Sequence, residues 1–277
     1  FEVLKAMQIV LTDGEKIRHR FDKIKDLKSW LKLNKALNLY YLATPTSNNL
    51  AQNEVEEFLE THPNNSYAYT LLGMTYVLDL WYGACESPLF CLGKATEAVR
   101  KALQLDANSS DAHSTSASIF FMRKEHEKAI AEAKIGISLN PNNADAYQVL
   151  GVILNYAGRS KEGVEFIRKA IKLNPIPNAN YLHSLGFSYL VSQEYKKSIE
   201  IFKQVIEINP DFYFTYITLT IPYVQLGLNK EAEQAASELL KYRPNFSVNA
   251  FLKLVPMTDQ TLIELARESF IKAGLPE

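Results

Sequence analysis

Cysteine is nearly absent: Cys85 and Cys91 are the two in 277 residues. Their spacing fits no common zinc pattern, and further His or Cys ligands are lacking nearby, which excludes a structural zinc site of the usual kinds. With at most one pair there is no disulfide framework. The composition favours two reduced, buried thiols in a cytoplasmic protein, with a single disulfide as the alternative. Net charge is just as scarce: 30 basic and 31 acidic residues leave a formal charge of −1. That balance implies no bulk attraction to nucleic acid or to an anionic membrane. No apolar run is long enough to span a bilayer, and no signal peptide is visible. Sequons at Asn64, Asn108 and Asn245 matter only in a secreted chain. The chain opens at Phe1 without a methionine and is expected to be part of something longer.

Catalytic signatures are missing too. No P-loop, Gly-rich dinucleotide turn, HExxH or nucleophile elbow occurs. Five histidines, His19, His62, His113, His126 and His183, are scattered, and no two have the spacing of a metal pair on one helix. His126, between Glu125 and Glu127, reads as a solvated turn residue. Glu194, Glu200, Glu207, Glu231 and Glu233 fall on expected outer helix faces, so no carboxylate pair is placed for acid/base work. The expectation is a segment with no catalytic residue, metal or cofactor.

What the chain does have is a rewritten junction. LDANSSDAH at 105–113 returns as LNPNNADAY at 139–147, and INPDF follows at 208–212. Pro141, Pro175, Pro210 and Pro244 stand 34, 35 and 34 residues apart, and Ala107 lies 34 before Pro141. Twelve residues before each junction comes a small side chain: Ala95, Ala129, Gly163, Ser198 and Ala232. Seven later come Ala102, Gly136, Ala170, Val205 and Leu239. Leu-Gly recurs at Leu72-Gly73, Leu150-Gly151 and Leu185-Gly186, with a large apolar residue (Tyr76, Phe120, Leu154, Tyr189 or Tyr223) three after the glycine position. A period near 34 signals a helical array. Small residues let paired helices approach, large ones fill the next unit's groove, and proline stops the second helix.

This pattern resembles the tetratricopeptide repeat. The resemblance implies an all-α fold, a right-handed superhelical solenoid of five to six helix-turn-helix repeats with an N-terminal extension and a C-terminal capping helix. The expected layout is a helical connector at 1–26, a diverged first repeat at 27–63, and five units at 66–107, 111–141, 145–175, 179–210 and 213–244. A cap follows at 246–277, with Leu262, Leu265, Ala266, Phe270 and Ile271 covering the end of the array. Asp111 and Asp145 are expected to cap the helices that follow them.

Three places depart from the period. The unit at 66–107 carries about ten extra residues within LWYGACESPLFCLG, either a binding loop or a longer helix packed on its own repeat. Pro222 falls inside an expected helix and should kink it. Residues 1–26 combine an amphipathic FEVLKAMQIVL with a basic stretch, Lys16–Lys28, either a solvated linker or a segment that folds onto the array or a partner chain.

In tetratricopeptide arrays the first helix of each repeat lines a concave face. Carried onto this chain, the resemblance gives Met74, Phe121, Met122, Tyr156, His183, Phe187, Leu190, Phe214, Ile217 and Ile221 as groove residues. The lining lacks the Lys, Arg and Asn set with which chaperone-binding members clamp a carboxylate, and it lacks the basic face that nucleic acid requires. It suits an apolar or helical segment of a protein or peptide. The chain's own N-terminal segment, a second subunit or a separate protein could each supply it. The alternative is that tight winding buries these side chains in the array itself.

Longer stretches resemble a narrower group. LKAMQIVLTDGEKIR, LLGMTYVLDLWYGACESP, LNPNNADAYQVLGVILNYAGRSKEG, KLNPIPNANYLHSLGFSYL and ARESFIKAGLPE are similar to the repeat region that follows the catalytic domain in some bacterial class III adenylate/guanylate cyclases. The resemblance implies a cytoplasmic sensor, scaffold or dimerisation module of a signalling enzyme, itself without cyclase activity. A free-standing adaptor is the alternative.

Overall fold

The structure is a computed structural model that describes residues 26–174 and 179–277. The connector expected at 1–26 lies outside the described residues except for Asp26, as does the junction at Pro175. The described residues form fourteen α-helices and no strands. Six pairs come first: α1 (Leu27–Tyr41) with α2 (Pro45–Thr61), α3 (Ser66–Tyr82) with α4 (Pro88–Leu105), α5 (Ser110–Met122) with α6 (His126–Leu139), α7 (Ala144–Tyr156) with α8 (Ser160–Leu173), α9 (Ala179–Val191) with α10 (Tyr195–Ile208), and α11 (Phe214–Gln225) with α12 (Asn229–Tyr242). Two more, α13 (Val248–Leu254) and α14 (Gln260–Lys272), end the chain. The molecule divides into two compact units, one of residues up to Ile119 with Glu132–Ala146, the other of Phe120–Ala131 with Tyr147–Glu277.

In the first unit, Leu33 and Leu37 of α1, Val55, Phe58 and Leu59 of α2, and Tyr67, Ala68 and Leu71 of α3 make one buried cluster. Helices α1, α2 and α3 each begin on a side chain that satisfies an orphan N–H group. Asp26 accepts from the Ser29 N–H at 2.8 Å, Thr44 and Ser47 form a reciprocal cap, and Asn65 accepts from Ala68 at 2.8 Å. Pro45 and Pro88 stand in first turns, where no N–H is missed. A buried Asn48 donates to the Thr75 carbonyl (2.9 Å) and to Asp79 Oδ1 (2.6 Å), and Gln52 donates to Asp79 Oδ2 (2.7 Å). Burial pushes the Asp79 carboxyl above the usual range, and these two amides oppose the shift.

The expected caps Asp111 and Asp145 are not the caps. Ser109 accepts from Ala112 at 3.2 Å, and Asn143 accepts from Asp145 and Ala146 at 3.1 and 3.3 Å. A cap sits one residue before the first helical position, and α5 and α7 begin earlier than the junction pattern suggests. Asp111 instead accepts from Asn143 Nδ2 at 2.9 Å, the same nitrogen that donates to Ser110 Oγ at 2.8 Å.

The inserted residues lengthen α3 to Tyr82, where Gly83 at φ 59° ends it in a left-handed turn. Cys85 and Cys91 are joined as a disulfide, which overturns the favoured reading of two separate thiols. Their Cα atoms lie 6.0 Å apart, within the range a disulfide spans. A spacing of six residues across a turn into α4 brings them there.

In the second unit, close approach of paired helices rests on missing side chains. A Cβ on Gly186 would sit 2.6 Å from the Phe202 ring, and Ser198 Oγ donates to the Gly186 carbonyl at 2.8 Å. The α11 helix runs through a buried Pro222 from Phe214 to Gln225. Ala266 and Phe270 of α14 are buried as expected of a cap, whereas Ile271 is 40% exposed because it points off the covered face. The tail is tied back by a Val248 N–H to the Pro276 carbonyl at 2.8 Å.

The disulfide closes a short loop and should contribute about 2 kcal/mol by restricting the unfolded chain. Cys85→Ser/Cys91→Ser should lower the unfolding free energy measured in urea by that amount. A thiol reductant should do the same to the native chain and nothing to the variant.

Candidate partner-binding face

The sequence-derived groove residues divide between the units. Met74, on α3, is half-buried against the first unit's core cluster. The rest belong to the second unit, and the structure reports plainly how covered they are: Phe121, Met122, Tyr156, Phe187, Leu190, Phe214, Ile217 and Ile221 are all buried, none more than 9% exposed. His183 is half-buried.

An aromatic row organises them. The Tyr156 ring lies 5.1 Å from Phe121, nearly perpendicular to it, and 4.8 Å from Phe187, nearly parallel. These are favourable arrangements for aromatic quadrupoles. The rings come from the ends of α5 and α7 and the middle of α9, at different repeat positions of successive first helices. Burial raises the Tyr156 phenol far above its ordinary range, so it stays neutral.

Polar links run beside the row from helix to helix. Gln148 Nε2 donates to Ser184 Oγ (2.8 Å) and Asn155 Nδ2 to Ser188 Oγ (2.7 Å). Asn155 and Ser188 are fully buried. The other face of the Asn155 amide fills the space left by Gly163, where a Cβ would come within 2.2 Å of Oδ1. His183 Nε2 lies 3.1 Å from Thr218 Oγ1, which itself donates to the Phe214 carbonyl (3.0 Å), so His183 is the donor to Thr218. The imidazole is hemmed by Phe202 and Phe212, at 5.3 and 5.2 Å. Desolvation pulls its pKa down to about 4, opposed by a hydrogen bond to the Phe214 main chain.

On the same helices Gln148, Val149, Val152, Val191 and Thr218 remain half-exposed. Together with the buried row they make an apolar face with a few polar points. Glu194, Glu200, Glu207, Glu231 and Glu233 are all exposed. Among the described residues no cluster of His, Cys, Asp and Glu is arranged to hold a metal ion, and no described helix is long and apolar enough to cross a membrane.

One histidine differs from its expected setting. His126 is half-buried, with Nε2 3.0 Å from the Pro256 carbonyl and its ring 5.7 Å from Phe121. No local signal marked this contact, since its partners are 130 residues apart. His113 bridges Glu132 (2.8 Å) and the Ala107 carbonyl (3.2 Å) at the start of α5.

Residues 144–177 and 179–212 match the tetratricopeptide repeat family. Human tetratricopeptide repeat protein 13 is 30% identical over 131 residues, covering 47% of this chain and 15% of that protein. The APC/C hetero-tetramer Cut9-Hcn1 superposes with a TM-score of 0.61 at 17% identity, over 86% of this chain and 45% of that one. PilW, described as a widely conserved type IV pilus biogenesis factor, does so with a TM-score of 0.54 at 15% identity, over 80% of this chain and 96% of that one. The fold is thus that of a tetratricopeptide helical solenoid, and residues 144–177 and 179–212 carry the repeat. It spans from 14% to 30% of the length of curated relatives it matches.

The His183 setting has a pH consequence. Its unfolded imidazole titrates near 6.5 and the folded one near 4, so the unfolded chain gains a proton first. Stability is therefore lost as pH falls from about 6.5 to about 4, by about 3 kcal/mol in the limit, and no further on this account below that. His183→Gln should flatten this limb in urea titrations run at pH 7 and pH 4.5. An unchanged slope would show that the imidazole does not carry it.

Proposed function

We propose that this chain is a non-catalytic protein-interaction module whose partner lies along the half-exposed edge of the α7, α9 and α11 face. The observation that supports it is the continuous row Phe121, Tyr156 and Phe187, flanked by Val149, Val152 and Val191. Successive helices presenting apolar side chains side by side suit an amphipathic helix or an extended apolar segment. Phe121, Met122, Phe187, Leu190, Phe214, Ile217 and Ile221 form the floor, which shapes the site from beneath. Contact falls to the valines, with Gln148, His183 and Thr218 as polar points. An assembly role is in keeping with the Cut9-Hcn1 hetero-tetramer, whose fold this chain shares. Affinity capture with the native chain and with Val149→Glu/Val152→Glu/Val191→Glu tests the face. The triple variant, folded as judged by its helicity, should recover its partner at least about tenfold less well. Equal recovery would remove this face from the account.

We further infer that the module is the regulatory region of a bacterial class III nucleotide cyclase or a similar signalling protein, on the order and spacing of the stretches quoted above. A free-standing adaptor is the second reading, supported by PilW, 96% of whose chain is matched by this fold. A cytoplasmic location goes with the first reading and requires Cys85 and Cys91 to exist there as thiols, because reducing compartments disfavour disulfides. The native reading frame, and alkylation of the chain as taken from cells, are the checks. A cyclase domain upstream and two trapped thiols are expected; a frame starting just before Phe1 favours the adaptor, and a recovered disulfide places the chain in an oxidising compartment.

A further inference from the structure

The connection between α13 and α14 does not behave as a surface loop. Residues 255–259 belong to neither helix, and such connections ordinarily run over the surface. Here Val255, Pro256 and Met257 are buried in succession, Val255 to 1% and Met257 to 7% exposure. Val255 has φ −63° and ψ 140°, and the Pro256 ring fixes its own φ. The chain therefore enters the segment in the polyproline II conformation, whose carbonyls have no partners within the segment.

The partner is remote. His126 Nε2 donates to the Pro256 carbonyl at 3.0 Å, across 130 residues of chain. The same imidazole lies 5.7 Å from the Phe121 ring, where the aromatic row of Tyr156 and Phe187 begins. A ring N–H that reads a main-chain carbonyl beside an aromatic side chain suits an extended, proline-containing segment. The segment is also held from behind. Asp259 caps α14, Arg267 of α14 donates to Asn249 Oδ1 of α13, and the Phe251 and Phe270 rings meet at 5.9 Å. Joined in this way, α13 and α14 present Val255–Met257 to His126 at high effective concentration.

We propose that Phe121 and His126 form part of a peptide seat whose built-in occupant is Val255–Met257. A partner segment of the same chemistry, a proline flanked by large apolar residues in the polyproline II form, takes the seat in exchange with it. The incoming segment meets a site already filled, so its apparent affinity is reduced by the small fraction of chains in which the strap is out. The proposal does not rest on the valine edge of α7, α9 and α11.

The probe is the labelled peptide Leu254–Asp259, LVPMTD, blocked at both ends and followed by fluorescence anisotropy against the full chain. Val255→Ser/Met257→Ser in the chain weakens the strap, and the peptide should then bind at least about tenfold more tightly than to the native chain. Adding His126→Ala should abolish that gain, whereas adding Val149→Glu/Val152→Glu/Val191→Glu should leave it in place. A peptide carrying Pro256→Ala should bind more weakly. Equal binding to native and strap-variant chains, indifference to His126, or loss with the three valines overturns the proposal. If the strap variant loses its helicity, the native chain with isotope-labelled methionine methyls decides. Peptide at about 10 mM should move the Met257 signal to its position in the free peptide, and an unmoved signal overturns the exchange.

Discussion

The structure depends on places where a side chain is missing. Phe202 lies over Gly186, and the Asn155 amide occupies the room beside Gly163. These contacts set how near the two helices of a pair can come. Helix separation in turn decides which rings of successive first helices can touch. The Phe121–Tyr156–Phe187 row is a consequence of that spacing as much as of the rings themselves. Interiors packed to this density tolerate neither an added methyl group nor a lost one without strain or a void.

The apolar surface of the second unit is largely spent on cohesion. Its floor residues are buried, and what faces outward is a thinner edge of valines with polar links between helices. As the proposed partner face, such an edge would favour partners of moderate affinity whose specificity comes from register along the repeats. The buried Asn155–Ser188 bond is suited to fixing that register, because a slipped helix would leave polar groups without partners in a dry interior.

The period of about thirty-four residues made the helix pairs legible, since Gly186 and Ser198 recur in register with their counterparts in other units. The resemblance, rather than the period alone, supplied the candidate groove side chains. It did not reveal their degree of cover, which depends on how neighbouring units close on one another. Caps were misplaced by two residues, at Asp111 rather than Ser109, because capping follows backbone angles that a repeat pattern does not record. The Cys85–Cys91 pair and the His126–Pro256 contact fall outside any periodic rule. One arises from an insertion that brings two thiols across a turn, the other from chain segments far apart in sequence.

Asn143 joins three parts of the first unit through one side chain: its oxygen caps α7, and its nitrogen serves both Ser110 and Asp111. Hydrolysis of that single amide would exchange a donor for an acceptor and set a new carboxylate against Asp111. Chemical ageing at this one position would loosen the link between consecutive repeats while leaving every hydrophobic contact in place.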